Sequence, residues 1–405
     1  MGTNNKKQHV LVVGGGFAGI KAALELSEVE HYQITLLSDQ SNFRYYPALY
    51  RTATGGTTAH SNIPLATLFE DKPVKIVEGS AKTLDRKAHT LTLADERVME
   101  YDIIIFGLGV VTNYFGIPGM EEYSYSIKSI EHINRFKEHI HQQLIDDRRP
   151  DLNYVIVGGG PTGIELAGAL PEYLKKIMAW HGVKRKAIHI DLVESSPRLL
   201  PRMPKSTSVG VTRRLRSLGV KLYTGKVVQG FSGDELTVSG KPIRSHSVVW
   251  TAGVTTHPFF KENNFLLTPR GKVATDMYLQ ADDNIYVIGD NANTPYSGMA
   301  QTALVDAVYV AENLKRRAKG KDPEGYKLKK PITVIPVGDH WATVLWGNVR
   351  LYGLVGWGLR EMADLIAFAD YQPWWKAGKQ WLRGFEEQET CDVCRLAMAQ
   401  EMVDK

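Results

Sequence analysis

The chain has 405 residues, of which 43% are hydrophobic and 23% are charged. This length can bury a large core without covalent staples, and the composition is that of an ordinary globular protein. The two cysteines, Cys391 and Cys394, exclude a disulfide framework and supply only half of a zinc site, so we predict no metal centre.

The formal net charge of +5 is mildly basic. It would suit an acidic membrane surface, an anionic cofactor or nucleic acid, and by itself it decides nothing. The first ten residues, MGTNNKKQHV, lack an apolar core, and no uninterrupted apolar run approaches 18 residues. We therefore expect neither a signal peptide nor a segment that spans a bilayer.

The first predicted unit is a strand, a glycine turn and a helix, with the sequence VLVVGGGFAGIKAALEL from Val10. Its G-x-G-x-x-G glycines allow a tight turn, close approach of the backbone to a pyrophosphate, and close packing of helix on strand. They are Gly14, Gly16 and Gly19. The next predicted strand, ITLLSDQ, ends at Ser38 and Asp39, where an acid would bind a ribose.

The same pattern recurs 144 residues later, where Tyr154 begins YVIVGGGPTGIELAGAL with Gly158, Gly160 and Gly163. Two further pairs of segments follow in the same order. VKIVEGSA from Val74 matches VKLYTGKV from Val220, and DIIIFGLGV from Asp102 matches HSVVWTAGV from His246. Three matched elements at nearly one offset predict two copies of a Rossmann-like fold, and hence sites for two dinucleotides.

The second copy has its own acid, Glu194, at the end of the predicted strand in IHIDLVESS. A carboxylate here would hydrogen-bond an unmodified ribose and repel a 2′-phosphate, which favours NADH over NADPH. Basic residues on both sides of the strand weaken this preference, because the loops could place them on a phosphate. They are Lys184, Arg185, Lys186 and Arg198.

A third glycine-containing segment, TDMYLQADDNIYVIGD, runs from Thr275 to Asp290. Its strand ends at Gly289 and Asp290, which would place a carboxylate at the edge of a sheet. This combination resembles the second FAD motif of the two-dinucleotide-binding-domain flavoproteins, where the Asp binds the ribityl chain and the segment completes the first domain. The resemblance implies an α/β fold with an FAD domain, residues 1–110 and 254–325, split by an inserted NADH domain, residues 111–253.

The helix that begins AQTAL at Ala300, together with the C-terminal region, resembles the type II NADH:quinone oxidoreductases over essentially the whole chain. The family pattern A-Q-x-A-x-Q is matched by Ala300, Gln301 and Ala303, whereas Val305 stands in place of the second Gln. Gln301 would offer a donor and an acceptor to a quinone oxygen or to the flavin edge. The alternative is a buried glutamine satisfied by backbone groups.

Residues 326–405 belong to neither copy of the repeat. Six of the eight Trp lie between Trp341 and Trp381, and eight of the sixteen residues 315–330 are Lys or Arg. The segment GLREMADLIAFADY has apolar residues at helical spacing: Leu359, Met362, Ile366 and Ala369. The segment QPWWKAGKQWLRGF follows it. Trp with Lys on an amphipathic helix suits an anionic leaflet, while a dimer interface or a domain-packing helix is the alternative.

The motifs and the resemblance together give the expected contacts with the two dinucleotides. For FAD they are Gly14, Gly16, Phe17, Ala18, Gly19, Ser38, Asp39, Arg44, Tyr46, Pro47, Ala81, Gly109, Gly289, Asp290, Ala300 and Gln301. For NADH they are Gly158, Gly160, Pro161, Thr162, Gly163, Glu165, Glu194 and Gly253. Arg44, Tyr46 and Pro47 come from FRYYPALY, an aromatic-rich loop of a kind that more often serves packing.

Glu165 is the residue that distinguishes the two glycine turns, because Lys21 occupies the equivalent position in the first copy. One interpretation is an exposed residue stabilised by the positive end of its own helix. The resemblance instead implies a carboxylate beside the nicotinamide that accepts from the carboxamide or relays a proton toward the quinone. Glu165, Gln301 and Lys376 are the expected catalytic residues, with Lys376 a cation near the quinone channel.

The family resemblance implies hydride transfer from NADH to FAD, then transfer of two electrons and two protons to a membrane quinone, menaquinone or ubiquinone. It also implies monotopic attachment to the cytoplasmic membrane face, without proton pumping. Disulfide reductases and sulfide:quinone oxidoreductases need cysteines close to the flavin, and the first 390 residues contain none. A soluble reductase of a redox protein and a redox sensor that binds nucleic acid or protein are alternatives; we expect no nucleic acid and leave a homodimer open.

Overall fold

The computed structural model describes residues 7–146, 150–183, 188–327 and 330–386. In its first part the chain alternates short strands with helices. The elements are β1 (Gln8–Val13), α1 (Phe17–Ser27), β2 (Tyr32–Ser38), β3 (Asn42–Arg44), a 3₁₀ turn (Tyr46–Ala48), α2 (Leu49–Ala53), α3 (Thr58–Ser61), β4 (Asn62–Pro64), α4 (Leu65–Leu68), β5 (Val74–Glu78), β6 (Ala81–Asp85), β7 (Thr90–Leu93), β8 (Val98–Glu100), β9 (Ile103–Phe106) and β10 (Val110–Thr112).

The middle part repeats this alternation. Its elements are α5 (Met120–Tyr123), α6 (Ile130–Asp146), β11 (Asn153–Val157), α7 (Pro161–Trp180), β12 (His189–Glu194), α8 (Lys205–Ser217), β13 (Lys221–Thr224), β14 (Val228–Phe231), β15 (Glu235–Val238), β16 (Lys241–Arg244), β17 (Ser247–Trp250) and β18 (Val254–Thr256). The last part contains α9 (Phe259–Glu262), β19 (Gln280–Asp282), β20 (Ile285–Val287), a 3₁₀ turn (Gly289–Asn291), α10 (Ala300–Ala318), β21 (Thr333–Pro336), β22 (Ala342–Trp346), β23 (Val349–Gly353), α11 (Leu354–Ala369), α12 (Trp374–Leu382) and a 3₁₀ turn (Arg383–Phe385).

The largest sheet has six strands in the order β19–β20–β9–β1–β2–β5, all parallel except β19. Its central strands are continuous apolar runs, such as Val10 to Val13, because both faces of the sheet are covered. One face packs against α1 and α10, and the other packs against the strands β6–β8 and α9. Strands β19 and β20 come from the last part of the chain. The segment after the middle part therefore returns and completes the first sheet.

The second parallel sheet has the order β13–β12–β11–β17, which repeats the order β5–β2–β1–β9 of the first. Each copy also carries a three-stranded antiparallel sheet between the equivalent strands, β6–β7–β8 in the first and β14–β15–β16 in the second. The prediction of two copies of one α/β fold is confirmed. The antiparallel sheets were not anticipated from the sequence.

The two passages of the chain between the copies run side by side, since β10 and β18 pair antiparallel. The domain boundaries expected at residues 110 and 254 fall in this two-stranded link. Helix α10 packs against α1, and the Tyr32 hydroxyl donates a 2.8 Å hydrogen bond to the Leu314 carbonyl. These contacts fix the returning segment on the first copy.

The C-terminal part forms a three-stranded antiparallel sheet, β21–β22–β23, followed by helices α11 and α12. Two of the four residues in the apolar stripe expected on α11 face outward: Met362 is 56% exposed and Ile366 is 52% exposed, whereas Leu359 and Ala369 are partly buried. The domain-packing alternative therefore does not describe these two residues. Within the described ranges, no helix is long and apolar enough to cross a membrane.

Candidate functional site

The first glycine turn connects β1 to α1 and leaves space where a ligand could approach. Gly14 has φ of +119°, and a Cβ added there would lie 2.3 Å from the Gly107 carbonyl oxygen. A Cβ on Gly19 would lie 1.9 Å from the Gly14 carbonyl oxygen, so both positions require glycine. Nothing lies within 4 Å of a Cβ on Gly16, at the start of α1. The turn is tight on its protein side and open at the helix N-terminus, as binding of a pyrophosphate requires.

The second turn reproduces this geometry between β11 and α7. Gly158 has φ of +118°, and an added Cβ would lie 2.7 Å from the Ala252 nitrogen. A Cβ on Gly163 would lie 1.9 Å from the Gly158 carbonyl oxygen, whereas the space around Gly160 is open. Pro161 and Thr162 are exposed at the start of α7. The structure therefore contains two equivalent sites at helix N-termini, each suited to an anion.

The acids at the ends of β2 and β12 have different surroundings. Asp39 is exposed, and the neighbouring Ser38 hydroxyl donates to the Gln40 carbonyl at 2.7 Å. Glu194 braces its own turn, because Gly159 N–H donates to Oε2 at 2.7 Å and Ser196 N–H donates to Oε1 at 2.6 Å. Glu194 is only partly buried, so its carboxylate can accept further hydrogen bonds.

A groove of about 500 Å³ lies between α8 and β13, beyond the loop that follows Glu194. Four cations line it: Arg198, Lys205, Arg213 and Arg216. The Arg198 guanidinium is held in its loop by hydrogen bonds to the carbonyls of Leu200, at 3.0 Å, and Pro201, at 2.6 Å. Lys184, Arg185 and Lys186, and likewise Cys391 and Cys394, lie outside the described residues.

The FAD-side carboxylate, Asp290, lies in the 3₁₀ turn after β20. Gly298 N–H donates to its Oδ1 at 3.0 Å, and burial raises the pKa of Asp290 while the nearby Lys272 opposes the shift. Asn291 donates from Nδ2 to the Gly109 carbonyl at 2.6 Å. The buried Asn291 Oδ1 has no hydrogen-bond partner in the part of the chain that the structure describes.

These features fit the polar part of a flavin dinucleotide. A buried acceptor without a partner is rare in proteins and indicates an absent donor. Gly109, next to it, has φ of +72° and open space around an added Cβ. Gly289 lies against the first glycine turn, since a Cβ added there would be 3.2 Å from the Ala18 Cβ. Asn291 was missed by the sequence analysis, and its position directly after Asp290 was the available signal.

In the loop FRYYPALY, the expected ligand contact Tyr46 is not the tyrosine that points inward. Tyr46 is exposed, whereas Tyr45 is buried and donates from Oη to Asp364 Oδ1 at 2.5 Å. Arg44 is partly buried, and the Pro47 carbonyl accepts from Arg360 Nη2 at 3.0 Å. The loop therefore links the first copy to α11.

Phe17 and Ala81, expected at the FAD site, lie in different surroundings. The Phe17 ring is buried against Phe43, with ring centroids 5.0 Å apart, so only its backbone is available to a ligand at the start of α1. Ala81 begins β6 and is partly buried. In the second copy, Gly253 has φ of +73°, and an added Cβ would lie 2.4 Å from the Phe115 ring. Gly253 therefore packs against Phe115 at the two-stranded link between the copies, where a larger side chain would not fit.

The three residues expected to be catalytic lie in different surroundings. Gln301 is exposed, and its Oε1 accepts from Ile332 N–H at 2.7 Å, with Ala300 and Val305 partly buried near it. The side chain of Gln301 thus bonds to a backbone group, as the alternative interpretation expected, but the residue is exposed rather than buried. Lys376 pairs with Glu70, at 2.8 Å, rather than with Glu165. The expected role of Lys376, as a cation near the quinone channel, stays a prediction; α12, which carries it, folds back over the first copy.

Glu165 lies where the second copy meets α11 and is partly buried. Burial raises the pKa of Glu165 to about 8; the positive charges of Arg360 and Arg51 oppose the shift, and Asp364 adds to it. The interpretation as an exposed residue held by its own helix therefore does not describe it. The charged residues of α11 were not anticipated, although the spacing of Arg360 and Asp364 in an apolar helix was a signal for an ion pair.

The profile of the pyridine nucleotide-disulphide oxidoreductase family matches residues 8–309. A type II NADH:quinone oxidoreductase of Staphylococcus aureus is 27% identical over 360 residues, which cover 82% of this chain and 88% of that protein. The resemblance drawn from the AQTAL helix is confirmed by this relative.

Solved structures of similar fold include NDH2 from Plasmodium falciparum in complex with NADH, with a TM-score of 0.81 and 16% identity over 94% of this chain and 98% of that one. The sulfide:quinone oxidoreductase of Aquifex aeolicus has a TM-score of 0.76 and 19% identity, and 92% of each chain is covered. At these identities the two likenesses concern the fold. Since the family profile spans both glycine turns and the returning segment, this chain belongs to the pyridine nucleotide-disulphide oxidoreductase family.

Proposed function

We propose that the protein is a non-proton-pumping NADH:quinone oxidoreductase with one non-covalent FAD. The observation that carries this proposal is the pair of equivalent glycine turns, each open at Gly16 or Gly160, in two sheets of identical order. The similarity to the Staphylococcus aureus enzyme supports the choice of substrates. Bound FAD would supply the redox chemistry, taking hydride from NADH and passing two electrons to the quinone.

The protein's own contribution would be to bind and to orient. The N-terminus of α1 would hold the FAD pyrophosphate, and Asp290 with Asn291 would bind its polyol chain. The N-terminus of α7 would hold the NADH pyrophosphate, and Glu194 would accept from the adenosine ribose and disfavour a 2′-phosphate. Glu165, close to the start of α7, would hold or release a proton beside the nicotinamide.

A quinone is favoured over a thiol as the electron acceptor. Reductases of disulfides, and oxidoreductases of sulfide, use cysteine sulfur near the flavin, and residues 1–390 contain no cysteine. The fold is shared with a sulfide:quinone oxidoreductase, but residues 1–390 supply no cysteine for that sulfur chemistry. The second candidate for the electron acceptor is a soluble redox protein, which the basic residues of the C-terminal region would favour.

The C-terminal region, residues 326–405, supports attachment to the surface of an anionic membrane, on the cytoplasmic face. Trp374 and Trp375 are more than 60% exposed, and Leu382 and Phe385 are exposed beside them. Lys376 lies 5.3 Å from the centre of the Trp375 ring. Tryptophan and lysine in this arrangement suit the headgroup zone of a leaflet, and a lipophilic quinone would reach the site from the same side.

The decisive experiment is steady-state oxidation of NADH by the purified holoprotein with a short-chain quinone, after the released flavin has been identified as FAD. We expect quinone-dependent turnover with NADH and much weaker turnover with NADPH. Absence of turnover by protein that contains FAD would refute the enzyme assignment. Turnover with a ferredoxin or a cytochrome, but not with any quinone, would favour the second candidate.

Membrane attachment is tested by sedimentation with anionic phospholipid vesicles. The double substitution Trp374→Ser, Trp375→Ser should reduce binding. Trp180→Ser is a matched control, since Trp180 is 41% exposed and carries a lysine, Lys176, 5.3 Å from its ring centre. If both variants bind vesicles like the parent, the Trp-rich surface has another role, and a change in oligomeric state would identify that role as a homodimer interface.

A further inference from the structure

Helix α10 carries a fully buried carboxylate, Asp306, which is 0% exposed. An ionised carboxylate only accepts hydrogen bonds, and a buried one needs donors because an unpaired charge in the interior is strongly destabilising. Three donors surround Asp306, and they come from two separate regions of the chain. The donors therefore show which parts of the molecule this carboxylate connects.

One oxygen, Oδ2, accepts from the segment that would bind the polar part of FAD. Gly289 N–H donates to it at 3.0 Å, and the Thr294 hydroxyl lies 3.5 Å from it, at the outer limit of a hydrogen bond. Between these two residues lie Asp290 and Asn291, the side chains proposed to bind the FAD polyol chain. Asp306 therefore fastens both ends of the loop that carries them.

The backbone of Gly289 needs such a restraint. Its φ of +69° lies in the left-handed region, and glycine is the residue with the most conformational freedom. Gly289 is wedged between α1 and α10, because a Cβ added to it would lie 3.2 Å from Ala18 Cβ and 3.4 Å from Ala303 Cβ. The hydrogen bond to Asp306 fixes this backbone on α10. Movement here would displace the turn from the N-terminus of α1, where the FAD pyrophosphate would lie.

The other oxygen, Oδ1, accepts from the segment that leads into the C-terminal region. The Tyr326 hydroxyl donates to it at 2.6 Å, and the Tyr326 ring packs edge-on against Tyr309, with ring centroids 5.0 Å apart. Asn313, about two turns further along α10, holds the same segment through two 2.9 Å hydrogen bonds with the backbone of Glu324. The segment is thus docked along α10, and Asp306 joins it to the FAD-side turn.

We propose that Asp306 is a positioning residue for FAD: it holds the turn of Gly289 in place and couples that turn, through Tyr326, to the docked segment before the C-terminal region. This inference rests on the proposed function, which names FAD as the ligand of the turn. Asp306 would not touch the flavin, since both of its oxygens accept from protein donors. Withdrawal of the Tyr326 hydroxyl would speed the release of FAD without any change in the residues that contact it.

The experiment measures the rate at which FAD dissociates from the holoprotein, from the recovery of flavin fluorescence after dilution. Asp306→Leu has a similar volume but no acceptor, so it leaves the buried Gly289 N–H unpaired and should release FAD about tenfold faster or more. Asp306→Asn keeps one acceptor for Gly289, and its amide N–H can donate to the Tyr326 oxygen. This conservative variant should restore release to within about threefold of the parent.

Two further variants separate the coupling from a general loss of stability. Tyr326→Phe keeps the ring and removes the hydroxyl, so Asp306 loses one donor and FAD should leave about threefold faster or more. Asn313→Ala is the matched control, because it removes two hydrogen bonds of the same segment and leaves both contacts of Asp306 in place. It should lower the free energy of unfolding and release FAD at the parent rate.

Hydrogen exchange of the holoprotein, followed by mass spectrometry in excess FAD, gives a second measurement that does not depend on flavin release. Peptides that cover residues 285–294 should exchange faster in Asp306→Leu and Tyr326→Phe than in the parent. The same peptides should exchange at the parent rate in Asn313→Ala. Peptides that cover residues 322–326 should exchange faster in Tyr326→Phe and in Asn313→Ala.

Two results would overturn the inference. The first is release of FAD at the parent rate by Asp306→Leu and Tyr326→Phe. The second is an equal acceleration in Asn313→Ala, because destabilisation alone would then explain the effect. If Asp306→Leu does not fold, Tyr326→Phe decides by itself, since its release rate either rises or stays that of the parent.

Failure of this inference is distinguishable from failure of the proposed function. If the variants release FAD as expected but the parent reduces no quinone, the electron acceptor is wrong and the role of Asp306 stands. If the parent holds FAD and reduces quinone while the variants release FAD at the parent rate, the role of Asp306 falls and the enzyme assignment stands. A parent protein with no affinity for FAD would overturn both.

Discussion

The two glycine-turn helices carry a basic and an acidic residue at equivalent positions, Lys21 and Glu165, and both residues meet the same helix. In the first copy, Lys21 donates to the Asp370 carbonyl at 3.1 Å, at the carboxyl end of α11. In the second copy, Glu165 faces Arg360 and Asp364, which precede Asp370 on α11 by about 15 Å and about 9 Å along the helix axis. Helix α11 thus lies across the starts of both helices.

The two positions differ in the partners of their side chains. Lys21 has partners of complementary charge, Glu25 at 3.1 Å and the negative end of α11, so it stabilises the packing of α11 on the first copy. Glu165 has no such fixed donor and lies among charges of both signs. The first position therefore ties α11 to the first copy, whereas at the second position burial raises the pKa of the carboxyl.

The largest effect is expected where α11 is tied to α2. Glu361→Ala should lower the free energy of unfolding by about 3 kcal/mol, because Arg51 would stay largely buried without its partner. Denaturant unfolding of the holoprotein measures this loss. Glu312→Ala removes a more exposed pair with Lys315 and should cost less than about 1 kcal/mol. Equal losses in both variants would mean that the α2–α11 tie contributes little.

The second prediction concerns pH. The pKa of Glu165, about 8 in the folded protein, lies above its ordinary value of 4.5, so the folded state binds the proton more tightly than the unfolded state. This contribution to stability is present below the unfolded pKa and is lost as the pH rises from about 5 to 8. At about 1.4 kcal/mol per pKa unit, a shift of this size corresponds to roughly 5 kcal/mol. Glu165→Gln should flatten this part of the stability profile, and Glu172→Gln should not.

The third prediction separates the two turns. Gly16→Ala places a methyl group in open space that a pyrophosphate would occupy, so the protein should fold but bind FAD about tenfold more weakly or worse. Gly160→Ala should retain FAD and raise the Kd for NADH by a similar factor. Flavin content and a fluorescence titration with NADH measure the two effects. Loss of FAD in both variants would contradict the assignment of the turns.

The smallest effect is expected at the structural position. Lys21→Met should lower the free energy of unfolding by about 1 kcal/mol or less, since its ion pairs are partly exposed. The pH profile of NADH oxidation should stay that of the parent, which thermal unfolding and steady-state assays at several pH values can check. A shifted pH profile would show that the two positions are not functionally distinct.

The repeat and its ligand turns could be predicted because they depend on short-range features. A β-branched run followed by glycines at fixed spacing allows few conformations, and Gly14 and Gly158 indeed have the same left-handed φ. Asp39, Glu194 and Asp290 were placed at strand ends for the same reason. The sequence also showed that Lys21 and Glu165 are equivalent.

Other contacts were decided by tertiary structure. The choice of Tyr45 over Tyr46 as the buried tyrosine, the unpaired oxygen of Asn291, and the pairing of Lys376 with Glu70 all depend on neighbours far along the chain. A local pattern of aromatic, amide or basic residues does not contain that information.

Helix α11 shows most clearly which contacts depend on tertiary structure. Its helical periodicity predicted the apolar residues Met362 and Ile366, but the buried charges Arg360, Glu361 and Asp364 were not anticipated. Which face meets the protein was settled only when Tyr45 and Arg51, about 310 to 320 positions earlier, supplied hydrogen-bonding partners for the buried charges. The two dinucleotide turns, and the lysine and glutamate that distinguish them, could be predicted from the sequence. The packing of one helix against both turns depends on tertiary structure, because burial of charge is tolerated only where distant partners neutralise it.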